Sequence, residues 1–310
     1  MKILLLGKNG QVGQALQRTL QPLGELLALD RAQGSTGLCG DLSQPEALAA
    51  TIRQLRPDVI VNAGAYTAVD KAESEPEQAR LINAHAPEVL AREAEALGAW
   101  FIHYSTDYVF NGSGTVPWQE SDATAPLNVY GQSKLEGELR VQAACTRHLI
   151  FRTSWVYAVH GNNFVKTMLK LAQERQRLTV INDQWGAPTG AELIASVTAS
   201  AIQKVSGNSN LDANQGALAG IYHLVASGET NWHAYASHVI SQAKTLRPDM
   251  PWSVQDIAPV PSTAFVTAAQ RPHNSRLNNN KLQTAFGISL PDWQQGVDCM
   301  LAEILIKKHT

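Results

Sequence analysis

The chain opens with Lys2-Ile-Leu-Leu-Leu6, followed without a break by Gly7-Lys-Asn-Gly10-Gln-Val-Gly13. The apolar run predicts a short strand buried in a parallel sheet, because such strands read as continuous hydrophobic stretches. Gln14 to Leu20 predicts a helix. Strand, glycine-rich turn and helix is the context in which three glycines signify a dinucleotide-phosphate loop and not a plain turn. Gly7 permits the tight turn, Gly10 lets backbone approach a pyrophosphate, and Gly13 lets the helix pack closely on the strand. The helix N-terminus then offers free N–H groups and a positive dipole end to the phosphates. The first glycine is displaced by one residue from the G-x-G-x-x-G spacing.

Working outward, Leu26 to Asp30 predicts a second strand ending in an acid. Asp30 lies roughly 20 residues past the loop, where a carboxylate commonly binds the adenosine ribose hydroxyls. Arg31 beside it suits a 2′-phosphate, so one feature favours NADH and its neighbour NADPH. Asp41-Leu42, ahead of a helix over Pro45 to Leu55, is placed for the adenine edge. Asp58 to Val61 predicts a third strand. It continues into Asn62-Ala63-Gly64-Ala65, small side chains that leave room for a cofactor backbone. Trp100 to Tyr104 predicts a fourth strand, running into Ser105-Thr106-Asp107. Ligands of doubly wound sheets bind outside the carboxyl ends of the strands. Either Ser105 or Thr106 can therefore hydrogen-bond a carbonyl oxygen as charge develops on it, or both can cap a turn.

Tyr130-Gly-Gln-Ser-Lys134 lies in a predicted helix over Val129 to Cys145. Residues four apart share a helix face. A free phenol titrates near pH 10, and a neighbouring ammonium favours the phenolate. Lys134 is thus expected to lower the Tyr130 pKa towards the range of efficient proton transfer.

After about Arg152 the pattern is less regular. Helices are expected near Asn163 to Gln173, Ala191 to Lys204, Trp232 to Ala243 and Trp293 to Ile306. Short strands are expected at Leu178 to Ile181, Ile221 to Leu224 and Val254 to Ile257. Ser206 to Gln215 reads as an exposed loop. Pro259, Pro261 and Pro272 mark an irregular segment that could wall a substrate cleft. Trp155, after a strand, fits either the core or a stacking surface for a ring.

Composition narrows the class. With 310 residues the chain can build one large domain or two smaller ones. A net charge of −2 without a basic stripe argues against nucleic acid as a partner. No apolar run reaches membrane-spanning length, and the N-terminal run becomes a glycine loop too soon for a signal peptide. Cys39, Cys145 and Cys299 are widely spaced, which suits a reducing cytoplasm. The histidines form no zinc-ligand spacing, so no zinc site is expected.

Taken in order, Gly7/Gly10/Gly13, Asn62-Ala-Gly-Ala65, Tyr104-Ser-Thr-Asp107 and Tyr130-x-x-x-Lys134 resemble the extended short-chain dehydrogenase/reductases. Further stretches narrow the likeness to the dTDP-4-dehydrorhamnose reductases. These are Thr67-Ala-Val-Asp-Lys-Ala-Glu73, Tyr104-Ser-Thr-Asp-Tyr-Val-Phe110, Pro126-Leu-Asn-Val-Tyr130, Arg152-Thr-Ser-Trp-Val-Tyr157, Asn182-Asp-Gln-Trp-Gly-Ala-Pro-Thr189 and Arg271-Pro-His-Asn-Ser-Arg-Leu277.

The resemblance implies a Rossmann-like α/β fold, with an NAD(P)-binding domain over 1–150. A smaller α/β substrate-binding region over 151–310 would return in part to the first domain. It implies Thr106, Tyr130 and Lys134 as the catalytic set. Gly10-Gln11-Val12, Asp30, Asp41-Leu42 and Ala65-Tyr66-Thr67 would line the NADPH or NADH site, with Lys134 on the nicotinamide ribose. Thr106, Asp107, Tyr130 and Trp155 would meet a dTDP-sugar. Tyr66 stands where close relatives would carry His, leaving only a backbone contact there secure. The expected activity is reduction of a 4-keto sugar nucleotide, the last step of dTDP-rhamnose formation, in the cytoplasm. A homodimer is also implied, with Mg²⁺ at a subunit contact, for which Glu192 and Glu303 are candidate ligands; isolated surface acids are the other reading. The rivals are a related epimerase or dehydratase and a non-catalytic, cofactor-bound regulatory subunit. Dehydratases of this superfamily carry Thr-Asp-Glu where this chain has Thr106-Asp107-Tyr108.

Overall fold

The computed structural model of the protein describes residues 1–32, 37–207 and 218–306. Six parallel strands form the central sheet, and their spatial order is Glu25–Leu29, Lys2–Leu6, Val59–Asn62, Trp100–Thr106, His148–Thr153 and Gly220–His223. The register pairs Leu6 with Leu29 on one side and with Asn62 on the other. The chain winds one way from Lys2–Leu6 to reach Glu25–Leu29 and then reverses. The topological switch point, where ligands of such sheets bind, therefore lies between Lys2–Leu6 and Val59–Asn62.

Both faces of the sheet are covered, which is why its strands read as unbroken apolar runs. Successive residues point to opposite faces. Ile3, Leu5, Val61, Ile102 and Phe151 pack against the helices Gln11–Leu20 and Ala191–Ser206. Leu4, Leu6, Ile60, Phe101 and Ile150 pack against Pro45–Leu55, Ala86–Leu97 and Val129–Ala144. A separate core joins the helices Phe164–Glu174, Trp232–Leu246 and Trp293–Leu305 around Val165, Val239 and Val297.

The first helix starts at Gln11 and not at Gln14, so Gly13 lies inside it. A Cβ on Gly13 would sit 2.1 Å from Gly7 O, and one on Gly7 would sit 2.5 Å from Gly64 N. These glycines bring three backbones into contact at the switch point, and Gly7 also has a φ of +80°. The expected irregular segment at Pro259 is instead part of a strand, Asp256–Val260, parallel to Arg177–Ile181. Proline is tolerated there because this strand has a partner on one side only among the described residues. Of the expected Ser206 to Gln215 loop, Ser206 closes a helix and 208–215 lie outside the described residues. No helix among the described residues is long and apolar enough to cross a membrane.

Candidate active site

At the carboxyl ends of the strands, over the switch point, lies a cleft of about 1040 Å³. That is at the upper end of small-molecule sites, about 300–1,000 Å³, and suits an extended ligand. Gly7, Gly10, Gln11, Val12, Asp30, Arg31, Asp41, Leu42, Ala63, Ala65, Tyr66 and Thr67 line one half. Thr106, Asp107, Tyr130, Lys134 and Trp155 line the other. Gly13 is not in the wall; its place is behind it, against Gly7. None of Pro259, Pro261 and Pro272 lines this cleft.

The first half fits a dinucleotide. Gly10 caps the Gln11–Leu20 helix without a side-chain hydrogen bond, and no acid occupies the first turn. The first-turn N–H groups are thus free for an anion. A Cβ on Gly10 would meet only Gly7 O, at 3.4 Å, so the backbone there is open to approach. Asp30, just past its strand, accepts from Ala32 N at 2.8 Å and from Asn9 Nδ2, with Lys8 Nζ 3.7 Å away. Burial pushes the Asp41 carboxyl up, but hydrogen bonds from Ser43 and Gln44 outweigh it and leave the group below its usual value. Both backbone groups of Tyr66 bond to the Asn83 amide, at 2.8 and 3.0 Å. Its hydroxyl donates to Glu75 at 2.7 Å.

The second half carries the proton chemistry. Asn128 caps the Val129–Ala144 helix by accepting from Gly131 N at 2.8 Å, which fixes where Tyr130 begins its turn. Gly131 lets that helix reach the loop after the fourth strand, since a Cβ there would lie 2.3 Å from Tyr108 O. The Tyr130 phenol faces the Thr106 hydroxyl, which favours its ionised form. Thr106 Oγ1 lies 3.1 Å from Asp107 Oδ1 and accepts from Tyr108 N at 3.2 Å. Ser105 Oγ is buried with no hydrogen-bond partner among the described residues. Of the two hydroxyls left open by the sequence, Thr106 is the one beside the phenol.

The whole chain can now be compared with known proteins. The family model described as RmlD substrate binding domain matches residues 1–306. The dTDP-4-dehydrorhamnose reductase of Escherichia coli (strain K12) is 58% identical over 304 residues, spanning 98% of each chain. The chain belongs to the dTDP-4-dehydrorhamnose reductase family. Among solved structures, the reductase of Bacillus anthracis in complex with NADP is 32% identical with a TM-score of 0.83, over 97% of this chain and 99% of that one. The Clostridium acetobutylicum reductase has the same TM-score at 33% identity, over 97% and 98%.

Within this reductase-family chain the electrostatics depart from one expectation. Burial pushes the Tyr130 phenol up to about 12, against the lowering by Thr106, and the Asp107 carboxylate adds to the rise. Lys134 Nζ donates to Tyr104 O at 2.6 Å. Burial pulls Lys134 down to about 8 and raises Asp107 to about 7. Asp107 Oδ2 has no hydrogen-bond partner among the described residues.

Residues in and behind the cleft carried no readable signal. Asn83, in a π-helical turn over Leu81–His85, ties Tyr66 to Ser133, 50 positions away. Trp232 lines the cleft and stacks on Trp155, centroids 3.8 Å apart and 19° from parallel. Trp155 is held with a φ of +48°, a strained conformation for a non-glycine residue. Glu192 and Glu303 share a second cavity, but Glu192 pairs with Arg18. Among the described residues no three His, Cys, Asp or Glu side chains gather into a metal site, so the expected Mg²⁺ finds no donor set.

Proposed function

We propose that the chain reduces the C4 keto group of dTDP-4-dehydro-β-L-rhamnose to dTDP-L-rhamnose, using NADPH or NADH. The carrying observation is the pairing of Tyr130 and Thr106 hydroxyls in the same cleft as an uncapped, glycine-led helix N-terminus. The name carried by relatives at 56–58% identity points to the same substrate. When bound, the dinucleotide is the hydride source for C4. Thr106 donates a hydrogen bond to the C4 oxygen as negative charge grows on it. Tyr130, protonated at neutral pH, gives that oxygen its proton. Lys134 would hold the ribose of the nicotinamide half. Trp155 and Asp107 orient the sugar nucleotide. The 1–150 region holds the dinucleotide and 151–310 supplies the substrate side; the protein works in the cytoplasm, as a homodimer.

Asp30 favours a free 2′-hydroxyl and Arg31 a 2′-phosphate, so discrimination between the two cofactors is modest. Asp30→Ala shifts the preference towards NADPH and Arg31→Ala towards NADH. Unchanged kcat/KM ratios in both variants would place the two residues outside the adenosine site.

Dehydration is the rival reaction, and Tyr108 occupies the place of its second acid. That ring packs edge-on against Tyr130, 5.7 Å between centroids. The deciding experiment supplies the 4-keto-L-sugar nucleotide and follows NADPH and NADH oxidation by absorbance, beside a control with dTDP-glucose. Cofactor consumed in step with product supports reduction. A 4-keto-6-deoxy product from dTDP-glucose, formed at a comparable rate, sinks it.

A further inference from the structure

Behind Lys134 runs a buried polar chain that the mechanism above does not use. Asn62, His103 and Lys134 are each 2% exposed or less, so their polar atoms must find partners inside the protein. The chain begins at a group whose role is fixed. The Gly64 backbone N–H can only donate, and it donates to Asn62 Oδ1 at 3.1 Å. This orients the amide, since the reverse orientation would face two donors. Asn62 Nδ2 then points at His103 Nδ1, 3.3 Å away, and donates to it. A neutral imidazole that accepts at Nδ1 carries its proton on Nε2.

His103 Nε2 lies 3.3 Å from Lys134 Nζ. An ammonium has donors only, so a charged Lys134 would meet Nε2–H donor to donor. A neutral amine has a lone pair for that N–H and still donates to Tyr104 O at 2.6 Å. Only the amine satisfies every link. An imidazolium would worsen the conflict at both ends, and burial together with Lys134 holds His103 well below its usual value.

We propose that His103 is a positioning residue that, through its links to Asn62 and Lys134, balances Lys134 between ammonium and amine. This rests on reading Lys134 as part of the cofactor and proton-transfer set. The other groups around it leave the balance open. Glu138, one turn further along the same helix, favours the ammonium. Its carboxylate is taken by Arg152 of the fifth strand, at 2.7 and 2.9 Å. Tyr130, one turn earlier, is a neutral phenol, and the Tyr104 carbonyl accepts from either form. The proton leaves to solvent through the cleft that Lys134 lines. Burial acts in the same direction as His103.

The test uses the full chain without cofactor, labelled with ¹³Cε-lysine and ¹⁵N-histidine, with Lys134→Met to assign the signal. His103 should show the Nε2–H tautomer, and Lys134 should titrate near 8, about two pH units below a free lysine at about 10.4. Asn62→Asp puts a carboxylate oxygen at Nδ1, moves the imidazole proton there and turns Nε2 into an acceptor. His103→Gln presents a carbonyl oxygen to Nζ. Each should raise the Lys134 midpoint by about one pH unit or more, a tenfold change. A packing role alone would leave the midpoint where it was, and that result in a folded variant overturns the proposal. So does an Nδ1–H tautomer, or an ordinary lysine midpoint, in the unmutated chain, whether or not the variants fold. Absent turnover with these signals intact counts against the proposed reaction and not against this inference.

Discussion

Tyr130 is poised as an acid and not as a base. Held up to about 12 by burial, the phenol keeps its proton at neutral pH, the state that reduction of a ketone requires. Tyr130→Phe keeps the ring and loses the proton. It should lower kcat by about 10²–10⁴-fold while leaving cofactor Kd nearly unchanged. A variant keeping more than half of the turnover would remove Tyr130 from the role. Asp107 makes a separate prediction about stability. Its folded pKa is raised to about 7, against about 3.9 in an unfolded chain. The folded state therefore binds more protons than the unfolded state between these values. The stability associated with the protonated acid is full below about pH 4 and is lost as pH rises through 7. Asp107→Asn removes this dependence. Its Tm relative to the unmutated chain should climb from pH 4 to pH 7 and then level off. A constant difference in Tm across that range would contradict the raised pKa.

At the scale of elements, the glycine loop separates packing from binding. Gly13 lies under the first helix against Gly7 O, where a Cβ has no room. Gly13→Ala should cost about 1–3 kcal/mol of stability by overpacking. Gly10 faces the cleft, so Gly10→Ala should leave the urea midpoint nearly unchanged and weaken cofactor binding. Equal loss of stability in both would show that the loop is only a turn. The helix bearing Tyr130 and Lys134 is tied to the fifth strand by the bidentate pair of Arg152 and Glu138, both buried. Glu138→Ala leaves Arg152 charged and unpartnered in the core, at a cost of about 3–5 kcal/mol. Urea unfolding measures it, and a loss below about 1 kcal/mol would mean the core rearranges around the cation.

The whole molecule does not divide at residue 150 in its packing. The sixth strand, Gly220–His223, pairs with His148–Thr153, and the Ala191–Ser206 helix covers one face of the sheet beside Gln11–Leu20. Residues 1–150 expressed alone would expose Ile3, Leu5, Val61 and Ile102 where Ile194 and Ala195 now pack. Such a fragment should show no cooperative thermal transition. A sharp transition near that of the full chain would establish an autonomous cofactor domain.

The sequence by itself determined the strand–glycine–helix opening, the parallel sheet and most of the dinucleotide half of the cleft. These rest on local signals: unbroken apolar runs, glycine spacing, and a Tyr and Lys one helical turn apart. Only the tertiary structure decided what those residues do to one another. The i, i+4 spacing put Lys134 near Tyr130, but the helix meets the sheet so that Nζ reaches Tyr104 O and His103 instead. The choice between Ser105 and Thr106, and the stacking of Trp232 on Trp155, depend on residues up to 77 positions apart. Asp107 and Tyr130 are shifted by burial, which a sequence pattern cannot measure because desolvation depends on every element packed around a group.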